Sequence, residues 1–332
     1  MLALNNPNAL AKVVPAFISE NDFTHLASWR EEASRLQKNP FLYALSGKLR
    51  TLGLIFLQPD LHARLALQKA AHTLGMNIQE IYLRTHGTEV EMGHRPGTLF
   101  ADTEHLRQTA QALGQYCDVL AVYAPAQLQD AEQDYADTLL HYLRLYAQIP
   151  VFNLESALHH PWQALADWLT IEAFKKMEKP RVVLQWVPYD RPVSAARANS
   201  LVGLLRKADV DVTVSHPPNH RLHENFMGGI KSFYHPEKAL VEADFVIALN
   251  WCSTKNYGQA ENKNPRWRLT QDKMTLTRKA FLLHQHPVWQ GIGIEPALLE
   301  NERCLLGAQA ANRVIAAQLI LKELLATLQY GQ

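Results

Sequence analysis

Five short stretches carry side chains able to handle an anion or a polarised carbonyl. QPDLHAR at 58–64 sets Asp60, His62 and Arg64 at a turn from an apolar run into a helix. HHPWQ at 159–163 supplies His160 and Gln163 just after Glu155, and LLHQHPV at 282–288 supplies His284, Gln285 and His286. ALNW at 248–251 adds Asn250 and Trp251, and AANRV at 310–314 adds Arg313. A helix start presents free N–H groups and a positive dipole end, so it attracts anions. Guanidinium and imidazole groups add donors for a developing oxyanion, and a neutral histidine can take a proton. Asp60 cuts across this pattern, because an aspartate at the N-cap takes the amides for itself and repels an incoming anion.

Each of these side chains also has a purely structural reading. Asp60 is an ideal cap, His160 before Pro161 can close a helix start, and Arg64 and Arg313 can pair with carboxylates across a lobe interface. His284 and His286 lie two apart on one face and could join Glu155 around a metal, but no third ligand stands at sensible spacing, so no metal is assigned. Cys117, Cys252 and Cys304 are widely spaced and form no Cys-x-x-Cys pair, which reads as small buried thiols.

The elements that must position these groups alternate along the chain. Short aliphatic runs at 52–57, 78–83, 118–124 and 150–154 recur in a second set at 181–187, 210–216, 244–250 and 280–284. Helical patterns lie between them. The first, at 61–74, sets Leu61, Leu65 and Ala66 on one face; others span 103–114, ending at Gly114, and 161–178. Continuous apolar strands separated by helices require parallel sheets covered on both faces, so each half is expected to be a doubly wound α/β domain. The segment 127–148 is expected to link the lobes as one long helix. A last helix, 308–328, with Ile315, Leu319, Leu321, Leu324 and Leu325, is expected to cross back onto the first lobe. This divides the chain into 1–150, together with that helix, and 151–307. Ligands bind beyond the carboxyl ends of such strands, where the candidate residues fall. Two long connections, 86–103 and 187–200, are further site candidates.

At 332 residues the chain suits two such domains, and 47% apolar with 20% charged residues is ordinary for a globular protein. A net charge of +1 with dispersed basic residues gives no footprint for nucleic acid or an anionic membrane surface. No apolar run approaches the roughly 18 residues of a membrane span, and the first residues lack a signal-peptide pattern, so a cytoplasmic location is expected.

FLQPDLHARLALQKAAHTLGMN, GQYCDVLAV, LESALHHPWQALADWLTIE, PRVVLQWVP, ADFVIALNW, LLHQHPV and QAANRVIAAQLILKELL, in this order, resemble the aspartate and ornithine carbamoyltransferase family. The resemblance is strongest to the branch acting on N-acetylornithine and N-succinylornithine, and spans about residues 40–328. It implies the two-lobed carbamoyltransferase fold with a knotted backbone loop at VPYDRPVSAARANS, a homotrimer with sites between subunits, no cofactor, and amino-acid-like and carbamoyl phosphate ligands. It places His160 and Gln163 on the carbamoyl group, with Glu155, Asn250, Trp251 and Arg313 retained. It also implies losses. The phosphate motif Ser-x-Arg-Thr-Arg reads Asp60, Leu61, His62, Ala63, Arg64, and a further phosphate arginine is Tyr123. His-Cys-Leu-Pro reads His284, Gln285, His286, Pro287; an arginine after it is Trp289, and a lysine before Asn-Trp is Leu249.

Two expectations follow. In the first, the chain no longer uses carbamoyl phosphate in the family manner. It then works on a less anionic donor, with Arg64, His160, Gln163 and Arg313 around the carbonyl and a histidine as base, or it binds a metabolite or partner subunits without turnover. In the second it is an N-acylornithine carbamoyltransferase of arginine synthesis whose phosphate is met by other charges, such as Lys48, Arg50 or Arg95.

Overall fold

The computed structural model describes residues 14–81, 103–260, 264–284 and 291–329. Two five-stranded sheets, each wholly parallel, lie in sequence. The first contains β1 (Ala16–Phe17), β2 (Thr51–Phe56), β3 (Asn77–Ile81), β4 (Val119–Tyr123) and β5 (Val151–Glu155), in the order β1-β5-β4-β2-β3. The second contains β6 (Arg181–Trp186), β7 (Asp211–Ser215), β8 (Lys231–Phe233), β9 (Phe245–Leu249) and β10 (Phe281–His284), in the order β10-β9-β6-β7-β8. The eight expected strands are all present. β1 and β8, two and three residues long, are too short for a periodicity to show.

The helices of the first half are α1 (Leu26–Lys38), α2 (Leu61–Thr73), α3 (Thr103–Tyr116), α4 (Ala131–Tyr135), α5 (Thr138–Tyr146) and α6 (Pro161–Phe174). The second half holds α7 (Ala196–Leu205), α8 (Glu224–Met227), α9 (Pro236–Leu240), α10 (Gln271–Met274), α11 (Pro296–Leu299) and α12 (Leu306–Gln329). None of the helices among the described residues is long and apolar enough to cross a membrane.

Several boundaries differ from the expectation. The segment 127–148 is two helices, because Asp137 adopts a left-handed conformation (φ 44°) and breaks it. It does not lead out of the lobe: β5 follows it and pairs with β4 and β1, so the first sheet extends past residue 150. α3 runs through Gly114 to Tyr116; that glycine serves close approach, since a Cβ there would stand 2.0 Å from the Ala147 carbonyl oxygen. α6 stops at Phe174, where Lys175 turns extended (ψ 139°). The connection after β6 closes at Ala196, where α7 begins, and the stretch 86–102 lies outside the described residues.

α2 buries Ala63, Leu67, Ala70 and Ala71, a helical stripe, while Leu61 and Leu65 are 65% and 55% exposed. α6 is buried almost all round, and α12 buries Ile315, Leu319, Leu321, Leu324 and Leu325 as expected. α12 packs on α6 and reaches back to α2 and α1, so one helix fixes where the first lobe stands relative to the connection between lobes.

Candidate functional site

The residues following β2, β4 and β5 meet at the carboxyl edge of the first sheet. Asp60 is the N-cap of α2, in extended conformation (φ −136°, ψ 104°), and its Oδ1 accepts the Ala63 amide at 2.7 Å. The Tyr123 hydroxyl, at the end of β4, donates to Asp60 Oδ2 over 3.4 Å. Its ring stacks on Phe56 at 5.3 Å. Glu155 closes β5, and its Oε2 lies 3.4 Å from His160 Nε2. His160 precedes α6 without capping it through its side chain; its backbone amide is held by Ser200 Oγ at 2.8 Å.

Arg313 enters from α12. Its guanidinium carbon stands 4.5 Å over the Trp162 ring, and the residue is 8% exposed. Among the described residues no carboxylate pairs with it at ion-pair distance, and its Nε has no hydrogen-bond partner. The expected ion pair across the lobes is therefore not made. Arg64 does pair, but inside its own lobe, 3.7 Å from Glu80 on β3, with its guanidinium 5.6 Å over Phe56.

Burial dominates the electrostatics. Enclosure, with Asp60 adding to it and Arg313 opposing, pushes the Glu155 carboxyl up to about 7. Burial, reinforced by Arg313 and Arg197, drives His160 well below its ordinary value, so its imidazole is neutral near pH 7. Tyr123 is pushed far up by burial and by Glu155 and Asp60, which keeps its hydroxyl protonated. Desolvation lowers Arg313, opposed chiefly by Asp60 and Tyr123. The cluster thus sets a neutral imidazole, a protonated phenol, the Asp60 carboxylate and a carboxyl raised to about 7 around one buried guanidinium.

Beneath it lies a network that sequence reading did not single out. Asp167, with no exposure, receives the Arg197 guanidinium (Nη2–Oδ2 2.9 Å), the Gln163 amide (2.8 Å) and the Gln309 amide (2.7 Å). Arg197 Nη2 also donates to the His284 carbonyl at 3.2 Å, and the His284 amide donates to Gln309 Oε1 at 3.2 Å. Two signals could have found this. Gln163 and Asp167 are an i, i+4 pair on α6, and Arg197 is the single charge in the otherwise uncharged run ARANSLVGLL.

The structure thus brings Asp60, Tyr123, Glu155, His160 and Arg313 together, with Gln163 and His284 attached through Asp167 and Arg197. His62 is exposed on α2. Asn250 donates to the Val187 carbonyl at 2.7 Å, and the buried Trp251 indole to the His220 carbonyl at 2.7 Å, so both anchor loops. Gln285 and His286 lie outside the described residues, as does Arg95. Arg50 is engaged by Asp118 at 2.7 Å. Among the described residues no three His, Cys, Asp or Glu side chains form a group that could hold a metal.

Residues 16–173 match the carbamoyl-phosphate-binding domain of aspartate/ornithine carbamoyltransferases, and residues 194–324 match their Asp/Orn-binding domain. An N-succinylornithine carbamoyltransferase of Bacteroides thetaiotaomicron is 35% identical, over 94% of this chain and 99% of that protein. An N-acetylornithine carbamoyltransferase of Xanthomonas campestris is 25% identical, over 93% and 97%. A solved N-acetyl-L-ornithine transcarbamylase variant, complexed with carbamyl phosphate and N-succinyl-L-norvaline, superposes with a TM-score of 0.83 at 25% identity, over 94% of this chain and all of that one.

Proposed function

Because the chain belongs to the aspartate/ornithine carbamoyltransferase family, we propose that it transfers a carbamoyl group to the side-chain amine of an N-acylated ornithine. Arg313 carries this reading. A guanidinium removed from water without a carboxylate costs several kcal/mol, and an oxygen acceptor supplied by a ligand offsets that cost. The donor carbonyl lies against Arg313 and the neutral His160. Attack by the amine forms the new C–N bond and places negative charge on the carbonyl oxygen, which Arg313 stabilises; the amine proton passes to the Glu155–His160 pair, and collapse breaks the bond from the carbonyl carbon to the phosphate oxygen, so that inorganic phosphate leaves. Gln163, oriented by Asp167, serves the carbamoyl end. The protein works as a homotrimer. Phe41, Leu45, Leu49, Leu61 and Leu65, each more than half exposed, supply apolar surface for that assembly.

One observation favours a second reading, in which the donor is less anionic than carbamoyl phosphate or the site binds a metabolite without turnover. The Asp60 carboxylate already occupies the Ala63 amide at the start of α2, and Tyr123 stands beside it where a cation would meet a phosphate. One like-charge contact at about 4 Å costs roughly 4 kcal/mol at an effective dielectric of ~20. Calorimetric titration with carbamoyl phosphate separates the two. Saturable binding, with ureido product from N-acetyl- or N-succinylornithine, supports the first. Absence of binding in the native protein, regained in the triple variant Asp60→Ser, His62→Arg, Ala63→Thr, supports the second.

A further inference from the structure

We infer that Ser200 and Arg197, three residues apart on α7, are positioning residues for the transfer, an assignment that rests on the transferase reading. From the half built on the second sheet they fix His160 and Gln163, the two groups at the start of α6 that meet the carbamoyl end. The spacings match. His160, Gln163 and Asp167 recur at three and four residues along α6, and Arg197 and Ser200 at three along α7, so each set lies on one helix face. All five residues are buried, and the two helices pack against each other.

His160 is held through its backbone. Its side chain makes no capping bond, so it is placed through the two peptides that flank it. One is held from within α6, where the Ala164 amide donates to the His160 carbonyl at 3.2 Å; the other is held from α7, where the His160 amide donates to Ser200 Oγ at 2.8 Å. Asn199 Nδ2 adds a bond to the Leu158 carbonyl at 3.2 Å, so consecutive residues of α7 grip the loop that delivers His160. Without the Ser200 hydroxyl the imidazole keeps its chemistry and loses its aim.

Gln163 is held through its side-chain amide. A carboxylate paired with a guanidinium only accepts, so Gln163 turns an N–H to Asp167 Oδ1 at 2.8 Å, which leaves its carbonyl oxygen and second N–H to offer the carbamoyl group. Asp167 in turn is gripped by Arg197 through two nitrogens, Nε to Oδ2 at 3.3 Å and Nη2 to Oδ2 at 2.9 Å, and the same Nη2 reaches the His284 carbonyl at 3.2 Å. Arg197 therefore sets the carboxylate against which the Gln163 amide is oriented. A displacement on the order of 1 Å can cost about a hundredfold in rate, so loss of either hold shows in turnover before it shows in binding.

Steady-state kinetics with carbamoyl phosphate and N-succinylornithine test this on Ser200→Ala and Arg197→Lys, alone and combined with His160→Gln and Gln163→Ala respectively. Each single variant is expected to lower kcat about tenfold or more with the donor KM within about twofold, and to slow no further a chain already lacking the side chain it positions. Effects that add to those of His160→Gln or Gln163→Ala, or a raised KM at native kcat, mark a merely structural role and overturn the inference. Nitrogen NMR of histidine- and glutamine-labelled chains without substrate reads placement apart from turnover. The His160 ring signal is expected to move in Ser200→Ala and the Gln163 amide signal in Arg197→Lys, and unmoved signals overturn the inference even in an active chain. A native chain without turnover defeats the transferase reading, and the NMR signals then decide the placement alone.

Discussion

Glu155 gives the site a pH signature. Its carboxyl is raised to about 7 in the fold, against 4.5 ordinarily, so between these values the folded protein holds a proton that the unfolded chain has released. Stability from this group falls as pH climbs through that window. Glu155→Gln removes the dependence. Denaturant unfolding at pH 8 is expected to show the variant more stable by up to about 3 kcal/mol, with the difference vanishing near pH 4. Asp60 allows a second test at this scale: Asp60→Ser keeps a cap but removes the charge, and carbamoyl phosphate affinity is expected to rise at least tenfold. Asp60→Ala also loses the cap, which costs about 1 kcal/mol of stability in a melt. The Asp60 cap was legible in the sequence because capping is local, set by one side chain and the amide three residues on. The partners of Arg313 and Arg64 were not. Whether a guanidinium finds a carboxylate depends on which strands are neighbours, and β2 beside β3 gives Glu80 to Arg64 while Arg313 stacks on Trp162.

At the scale of elements, Asp167 ties α6 to α7 and α12 and, through Arg197, to the end of β10. Removing one partner leaves the other buried and unmatched, so Asp167→Leu is expected to cost about 3–5 kcal/mol, and the double change Asp167→Leu/Arg197→Met to recover much of it. Thermal melts of the two single variants and the double variant check this coupling. The central strands β2, β4, β5, β6 and β9 were readable because each is a largely apolar run buried on both faces, whereas β3 at the sheet edge is half exposed and carries Gln79 and Glu80. The breaks were harder. Asp137 divides 127–148 by adopting a positive φ that no apolar periodicity signals, and Gly114 resembles a helix end while it serves a close contact with Ala147.

For the whole molecule, the two sheets, their order in the chain and the returning C-terminal helix were all legible. The division near residue 150 was not, because β5 joins the first sheet only through its pairing with β4. In solution the assembly is expected at three times the 37.6 kDa chain mass by light scattering, and Leu61→Asp/Leu65→Asp is expected to shift it toward the monomer without unfolding it. The most direct test of the central claim is mass-spectrometric detection of ureido product from carbamoyl phosphate and N-succinylornithine, with the native chain and Arg313→Met side by side. Product from the native chain, reduced at least a hundredfold in a folded Arg313→Met, is the predicted result. Equal turnover by the two, or none by the native chain at saturating donor, contradicts it.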